Sequence, residues 1–368
     1  MSRVARSSER RGPSPRERST WRALPPHCRR TRRDYSSMRV FLTGATGFVM
    51  GAVARRLRAR DDEVVALVRS RTRGREIGAL GCDLVEGDIV DLGHSVKDRL
   101  RACDALVHGA AIYEIGVSAA RRRAMEETNV SGTRRMLEAA RDAGLPRVVY
   151  VSTIAAFGNT HGAVVAEGYE TTAPPTSAYE DTKRRAHEIA LDFARAGLPL
   201  VIVQPGQVYG PNDHSAVGAN LRALARGTLR YRALGDVGLN FVHVDDLADG
   251  IVRALDRGRI GECYVLGGEI ARLDDAYRAV AQATGRPLPS LVIPDGLLRI
   301  AGRLVPSLRE VVSSADGVTF WATDVKARSE LGTRPRALLD GIRDTFGSPD
   351  DDGPLSAGPG RDDPHRRM

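Results

Sequence analysis

The segment YEDTK places Tyr179 and Lys183 four positions apart. Residues at this spacing share one face of a helix. An ammonium group beside a phenol favours the phenolate, so we expect Lys183 to lower the pKa of Tyr179. The tyrosine can then exchange a proton with a carbonyl or alcohol near neutral pH. The preceding segment VVYVSTIAAFG supplies hydroxyl groups at Ser152 and Thr153, which are suited to orient an oxygen of the substrate.

A glycine-rich turn, TGATGFVMG, follows the first apolar segment of the chain. Gly44 allows a sharp turn into a helix, and Gly47 allows backbone N–H groups to approach an anion at the positive end of that helix. A strand, such a turn and a helix in this order predict a dinucleotide site. Met50 stands where a third glycine is typical. We expect its side chain to loosen cofactor binding by about 1–3 kcal/mol without abolishing it.

The second predicted strand, EVVALVR, ends in Arg69. In dinucleotide-binding folds an acidic residue at this place binds the ribose of NAD, whereas an arginine accommodates the 2′-phosphate of NADP. Arg71 and Arg73 follow closely and extend the basic character. The sequence therefore favours NADP(H) over NAD(H).

These segments belong to a longer alternation of short apolar strands and helical stretches. We predict a long helix over about residues 119–143, and strands at 39–44, 63–69, 83–88, 104–111 and 147–153. The βαβ order predicts an α/β fold with a doubly wound parallel sheet. Gly/Pro-rich loops are predicted at 158–176 and 204–218, at the carboxyl ends of strands, where open sheets bind ligands.

The net charge of +9 is concentrated at the amino terminus, because residues 1–37 contain eleven arginines and three acidic residues. We predict that this extension is disordered. Three interpretations of this extension stay open. Translation starts at Met38 and the extension is not made, or the extension is a targeting peptide, or it is a basic arm that binds nucleic acid. The segment 348–368 is predicted to be a disordered tail. Residues 38–347 carry little net charge, so no nucleic-acid partner is expected for this domain.

Four cysteines are scattered along the chain at Cys28, Cys82, Cys103 and Cys263. Their spacing fits neither a metal site nor a CxxC motif, so we expect no metal and free thiols in a reducing, cytoplasmic compartment. No run of eighteen apolar residues occurs, and no membrane partner is expected.

Together the motifs resemble an extended short-chain dehydrogenase/reductase of the NAD-dependent epimerase/dehydratase family. The resemblance covers about residues 38–340, with these landmarks in order: TGATGF, GDIVD, HGAA, NVSGT, VSTIAAFG, YEDTK, QPGQVYGP, FVHVDDLADG and KARSELG. Sugar-nucleotide members carry an Arg-Asp pair where this chain has Leu239 and Asn240. The segment GLNFVHVDD instead resembles the dihydroflavonol-reductase-like branch and its hopanoid-associated relatives.

The resemblance implies a Rossmann core of about 38–200, extended by elements up to 265. It also implies a smaller, mainly C-terminal substrate lobe formed by about 158–176, 207–238 and 266–340. It implies a homodimer through helices near 119–142 and 177–196. The catalytic residues would be Thr153, Tyr179 and Lys183, with Thr153 binding the substrate oxygen. The implied cofactor-binding residues are Gly44, Thr46, Gly47, Phe48, Val49, Arg69, Asp88, Ile89, Ala110, Ala111, Tyr179, Lys183 and Pro205.

The expected function is an NAD(P)-dependent oxidoreductase that reduces or oxidises a carbonyl or secondary alcohol of a small organic substrate. A nucleotide-sugar epimerase or dehydratase is the alternative within the family, and Leu239 weakens it. A non-catalytic NADP(H)-sensing protein is the alternative of another class, motivated by Met50. The set of Thr153, Tyr179 and Lys183 favours an enzyme. Tyr113, just after the HGAA segment, is a further candidate to face the substrate.

Overall fold

The computed structural model describes residues 37–347. The predicted tail 348–368 and all but the last residue of the predicted extension 1–37 lie outside the described residues. The strands of the described part are β1 (Arg39–Thr43), β2 (Glu63–Val68), β3 (Asp83–Glu86), β4 (Ala105–His108), β5 (Val148–Val151), β6 (Leu200–Pro205), β7 (Gln207–Tyr209), β8 (Gly238–His243), β9 (Cys263–Leu266) and β10 (Glu269–Arg272).

The helices alternate with these strands. They are α1 (Phe48–Arg58), α2 (Arg75–Ala79), α3 (His94–Arg101), α4 (Ala119–Glu126), α5 (Thr133–Asp142), α6 (Ala178–Arg195), α7 (Ala216–Ala225), α8 (Val244–Arg257), α9 (Leu273–Thr284), α10 (Asp295–Leu304), α11 (Pro306–Ser313), α12 (Val325–Glu330) and α13 (Leu338–Phe346). A π-helical segment, Glu127–Gly132, joins α4 to α5, and a 3₁₀ turn, Ile154–Phe157, follows β5.

Seven strands form one parallel sheet in the order β3-β2-β1-β4-β5-β6-β9. Their apolar residues are buried on both faces, as expected where helices cover both sides of a parallel sheet. One apolar layer contains Val53 of α1 and Ile251 of α8, and the other contains Leu137 of α5 and Ile189 of α6. This is the predicted doubly wound α/β fold. The strand order reverses between β1 and β4, and such a switch point is where open sheets bind ligands.

The predicted long helix over 119–143 is present but interrupted. The π-helical segment 127–132 adds a residue to the helical turn, a feature that is frequent at functional sites. It contains Asn129, which is fully buried and accepts a hydrogen bond from the backbone N–H of Ile112 at 2.8 Å. The same side chain donates to the hydroxyl of Thr182 at 3.1 Å. Asn129 therefore ties the segment after β4 to α6.

A second, three-stranded sheet has the order β10-β8-β7 and packs with α7, α9 and α13 around Phe241 and Tyr277. The predicted loop over 204–218 is wrong in part, because it contains β7 and the start of α7. Its Gly/Pro content suggested an irregular segment. Pairing of Tyr209 with His243 of β8, and burial of the Tyr209 ring, favour a strand there.

The apolar segment 291–305 forms α10 at the surface. This helix exposes Leu297, Ile300 and Leu304, and its buried side is narrow. Across residues 37–347, no helix is long and apolar enough to cross a membrane.

Candidate active site

At the switch point between β1 and β4, where open sheets have a ligand-binding cleft, Gly44 and Ala110 lie against each other. Gly44 has a φ of +79°, a left-handed conformation that glycine adopts without strain. A Cβ atom on Gly44 would lie 2.9 Å from the backbone of Ala110. Only glycine permits this close approach, so the turn after β1 and the segment after β4 form the two walls of one cleft.

The amino terminus of α1 opens into the same cleft. Gly47 is the exposed N-cap residue, and no side chain caps this helix end. No acidic residue lies in its first turn. The first N–H groups of a helix lack partners within the helix and carry its positive end. These N–H groups form a cradle that fits the pyrophosphate of a dinucleotide. Beside it, Thr46 is exposed, and Phe48 and Val49 are half-buried.

Met50 does not crowd this cradle. Its side chain is 3% exposed and belongs to the apolar layer of α1. It occupies the space above Gly109, where an added Cβ would lie 2.6 Å from its Cγ. This packing argues against the expected loosening of cofactor binding by Met50, because the absence of a side chain at Gly109 makes room for the thioether.

The remaining cofactor-binding candidates differ in their exposure. Arg69 is exposed directly after β2, and Asp88 is half-buried after β3. Ala111 is exposed at the edge of the cleft. Ile89 is buried against Gly132, so its side chain belongs to the core. Pro205 is buried at the end of β6, where it pairs with Leu266 of β9.

Tyr179 and Thr153 meet at the carboxyl end of β5. Tyr179 lies in the first turn of α6 and is half-buried, and its phenol lies near the side chain of Thr153. Thr153 is held in turn, since its hydroxyl accepts from the backbone N–H of Ala155 at 3.1 Å. Tyr113 is 46% exposed and packs edge-on against Tyr179, with ring centroids 4.7 Å apart. Tyr113, the candidate residue facing the substrate, therefore contacts Tyr179, the candidate proton donor.

Lys183 lies one turn further along α6 and is 3% exposed. Its Nζ donates to the carbonyl of Val151 at 3.0 Å and to the hydroxyl of Tyr150 at 3.4 Å. The same nitrogen lies 5.1 Å from the centroid of the Tyr150 ring. Burial lowers the pKa of Lys183 to about 7, because the charged form loses solvation.

The predicted lowering of the Tyr179 pKa is wrong for this arrangement. Burial raises the pKa of Tyr179, and the nearby Tyr113 adds to the increase. The nearby side chain of Thr153 acts in the opposite direction. Lys183 directs its ammonium group to β5, so it contributes less to the phenol than the four-residue spacing suggested.

Sequence reasoning missed other polar residues that the fold brings to this region. His187 follows Lys183 by one more turn of α6, and its Nδ1 lies 3.0 Å from the hydroxyl of Ser152. The repeated four-residue spacing of Tyr179, Lys183 and His187 was a usable signal for this residue. Asn129, by contrast, reaches its partners through the π-helical segment, for which the sequence carries no recognised signal.

A dinucleotide-type turn at the switch point of a parallel sheet, with a tyrosine and a lysine on a helix beside it, defines a nucleotide-dependent oxidoreductase of the Rossmann type. The family model described as "NAD dependent epimerase/dehydratase family" matches residues 40–267, which is more than half of the chain. The chain belongs to this family. The predicted fold, family and enzyme class are confirmed.

Two relatives and one solved structure illustrate the similarity. A Synechocystis sp. protein provisionally named dihydroflavonol 4-reductase is 31% identical over 312 residues, 82% of this chain and 83% of the relative. A Stigmatella aurantiaca protein, 4-hydroxy-2-methyl-3-oxo-4-farnesyl-3,4-dihydroquinoline-1-oxide ketoreductase, is 30% identical over 83% of this chain and 96% of its own. The crystal structure of a dTDP-glucose 4,6-dehydratase double mutant from Streptomyces venezuelae, with NAD bound, is 29% identical with a TM-score of 0.69, covering 84% of this chain and 96% of that chain.

Proposed function

We propose that this chain is an NADP(H)-preferring oxidoreductase that reduces or oxidises a carbonyl or secondary alcohol of a small organic substrate. The proposal rests on the proximity of Thr153 and Tyr179 beyond the end of β5, with Lys183 buried one turn further along α6. Two relatives named as reductases of carbonyl compounds support this reaction class.

In the proposed mechanism the hydroxyl groups act on the oxygen of the substrate. Thr153 donates a hydrogen bond that orients this oxygen, and Ser152 assists. Tyr179 donates its phenolic proton to the oxygen during reduction and accepts a proton during oxidation. The positive charge of Lys183 stabilises the phenolate that reduction leaves on Tyr179. Because the Lys183 pKa is about 7, this stabilisation weakens as the pH rises above neutrality.

A nicotinamide dinucleotide, when bound, supplies or takes up the hydride. Gly44, Gly47 and the start of α1 would hold its pyrophosphate, and Lys183 would contact the nicotinamide ribose. We propose that Arg69 confers the preference for NADP(H). This side chain is exposed at the end of β2 and makes no hydrogen bond or ion pair with any residue in 37–347. Its guanidinium is therefore free to pair with a 2′-phosphate, which suits its planar geometry.

A nucleotide-sugar epimerase or dehydratase is the second candidate, because a solved dTDP-glucose 4,6-dehydratase shares the fold. Two residues weigh against it. Asn240 is fully buried, and its amide bonds the backbone N–H and carbonyl of Ala322 at 3.0 and 2.6 Å. Leu239 is half-buried and apolar. Neither supplies the charge-assisted contact that grips a diphosphate.

The deciding experiment is turnover of a panel of ketones, aldehydes and secondary alcohols with NADPH or NADP⁺, followed by nicotinamide absorbance. The Tyr179→Phe variant serves as the matched control, and nucleotide sugars are assayed in parallel. Turnover of a carbonyl compound that depends on Tyr179 supports the proposal. Epimerisation or dehydration of a nucleotide sugar, without carbonyl turnover, would select the second candidate. Cofactor binding without any turnover would indicate a sensor.

We further propose a cytoplasmic location and a homodimer. Cys82, Cys103 and Cys263 are buried and unpaired, which suits a reducing compartment. The outer side of α4 is exposed along most of its length and is available to a second copy. Size-exclusion chromatography with light scattering tests the dimer.

A further inference from the structure

A series of buried polar contacts leads from the cofactor cleft towards Lys183. It begins at Thr43, the last residue of β1, whose hydroxyl accepts from the backbone N–H groups of Gly109 and Ala110 at 3.2 Å each. These two contacts fill the acceptor sites of the hydroxyl oxygen. Its proton is therefore directed to His108 Nδ1, which lies 2.7 Å away.

This contact fixes the tautomer of His108. Because Nδ1 accepts from Thr43, the ring proton is on Nε2, which donates to the hydroxyl of Thr133 at 3.2 Å. Thr133 in turn lies near the hydroxyl of Tyr150, where its side chain favours the ionised phenol and so acts against the rise that burial causes in the Tyr150 pKa. The rings of His108 and Tyr150 also stack, with centroids 5.7 Å apart. His108 is fully buried and stays neutral, since burial lowers its pKa to about 3.

The series of contacts ends at the ammonium group of Lys183. Tyr150 offers this group both its hydroxyl oxygen, at 3.4 Å, and the face of its ring, at 5.1 Å. The titratable groups near Lys183 are Tyr150 of β5, His108 of β4 and His187 of its own helix, and Tyr179 lies one turn before it on α6. Among residues 37–347 no carboxylate pairs with Lys183. A buried ammonium without a counter-ion depends on such neutral contacts.

We infer that Tyr150 is a positioning residue that holds the ammonium group of Lys183 at the end of β5, and that His108 and Thr133 fix the orientation of Tyr150. The kinetic consequence rests on the proposed function, since it requires Lys183 to act beside Tyr179. The positioning of Lys183 by Tyr150 can be tested without any turnover. Neutral, buried groups connect the turn after β1 to the lysine of the candidate active site.

The composition of the chain makes this inference directly measurable. The sequence contains only three lysines, Lys97, Lys183 and Lys326. Lys97 is exposed, and Lys326 forms an ion pair with Glu262 at 2.7 Å that raises its pKa. Protein labelled with ¹³C at the lysine ε-carbons should therefore give three NMR signals with separate titrations. Lys97→Arg and Lys326→Arg variants assign them.

Tyr150→Phe keeps the ring and removes the hydroxyl, and Tyr150→Leu removes both contacts. Loss of a hydrogen bond to the charged form should lower the pKa of Lys183 by about one unit in Tyr150→Phe. Tyr150→Leu should lower it further. Tyr264→Phe is the matched control, because the buried ring of Tyr264 lies 4.8 Å from Lys326 Nζ. It should leave the Lys183 signal unchanged.

Kinetics give the second readout. The alkaline limb of the kcat/KM profile should move to lower pH in Tyr150→Phe by the same amount as the NMR titration, while the plateau at lower pH is retained. Circular dichroism confirms folding of each variant. A Lys183 titration that is the same in both Tyr150 variants and the parent would overturn the inference. A shifted titration in a protein that turns over no carbonyl compound would support it and reject the proposed function instead.

Discussion

Met50 and Gly109 pack against each other between α1 and the end of β4. The thioether side chain fills the space that a side chain at residue 109 would need, since an added Cβ would lie 2.6 Å from Met50 Cγ and 3.0 Å from its Cε. Met50 stands at the position where the nucleotide-binding turn usually has a third glycine, and Gly109, on the facing segment after β4, provides the space for its side chain. The sensor hypothesis loses its main motivation, because the departure from the motif is accommodated within the core.

Replacing Met50 by glycine should destabilise the protein and leave cofactor affinity unchanged. Removal of a buried methionine typically costs about 2–5 kcal/mol, and glycine within a helix adds about 1 kcal/mol. Chemical denaturation measures the first effect, and calorimetric titration with NADPH measures the second. Tenfold tighter NADPH binding by Met50→Gly would show instead that the side chain hinders the dinucleotide.

The packing also predicts coupling between the two positions. Gly109→Ala should destabilise the parent strongly and be better tolerated when Met50 is replaced by alanine. A double-mutant cycle should give a coupling energy of about 0.5–3 kcal/mol, as is usual for residues in contact. Gly296→Ala is the control, because nothing lies within 4 Å of a Cβ at that position. Additive effects would contradict the contact.

Tyr179→Phe should reduce turnover by about 10²- to 10⁴-fold, because the phenolic hydroxyl that supplies the proton is removed. Cofactor affinity should persist, since the ring and its contact with Tyr113 remain. Steady-state kinetics and fluorescence titration measure the two quantities. Tyr113→Phe preserves the edge-on contact of the rings and should retain most of the activity. A Tyr179→Phe enzyme with near-parental rate would remove this residue from the role of acid.

Arg69→Ala should weaken binding of NADPH much more than binding of NADH. The 2′-phosphate is a dianion near neutral pH, and NADH lacks it. Titrations of both cofactors against Arg69→Ala, Arg71→Ala and Arg73→Ala measure the effect at each exposed arginine. An equal loss for the two cofactors in Arg69→Ala would move the contact to one of the other arginines.

His108 should make the protein sensitive to acid. Its pKa falls from an ordinary 6.5 to about 3 in the folded state, so the unfolded chain binds more protons between these values. Stability should therefore be unaffected by this group above about pH 6.5 and decrease by about 1.4 kcal/mol per pH unit below it, until about pH 3. His187, with a pKa lowered to about 4, adds to the slope.

Urea denaturation across this pH range gives the slope. His108→Gln should reduce it, whereas His161→Gln, at an exposed position, should not. The comparison concerns the slope of the unfolding free energy against pH. A loss of stability in His108→Gln that is the same at every pH therefore does not affect it. An unchanged slope in that variant would show that other groups govern acid unfolding.

The sequence predicted the parts of the site that depend on local spacing. Gly44 and Gly47 were recognisable because they follow an apolar strand, and Tyr179 and Lys183 because they are one helical turn apart. The parallel sheet followed from the alternation of strands and helices. Each of these signals is contained within a few consecutive residues.

What the sequence could not supply depends on distant partners. Tyr150 reads as one apolar residue of a buried strand, and its contact with Lys183 requires the packing of α6 on β5. The direction of the Tyr179 pKa shift depends on burial, which the spacing of Tyr179 and Lys183 does not encode. The place of Met50 was unpredictable for the same reason, since Gly109 follows another strand, β4.

The position of the cleft between β1 and β4 has a consequence for folding kinetics. Thr43 and His108 are register partners although they lie 65 residues apart in the chain. Parallel pairings between distant segments form slowly, because the entropy of closing a long loop opposes them until the pairing is complete. The ability to bind a dinucleotide requires both walls, so it should appear only after this pairing. During refolding, recovery of cofactor fluorescence should therefore lag behind recovery of the helical circular dichroism signal.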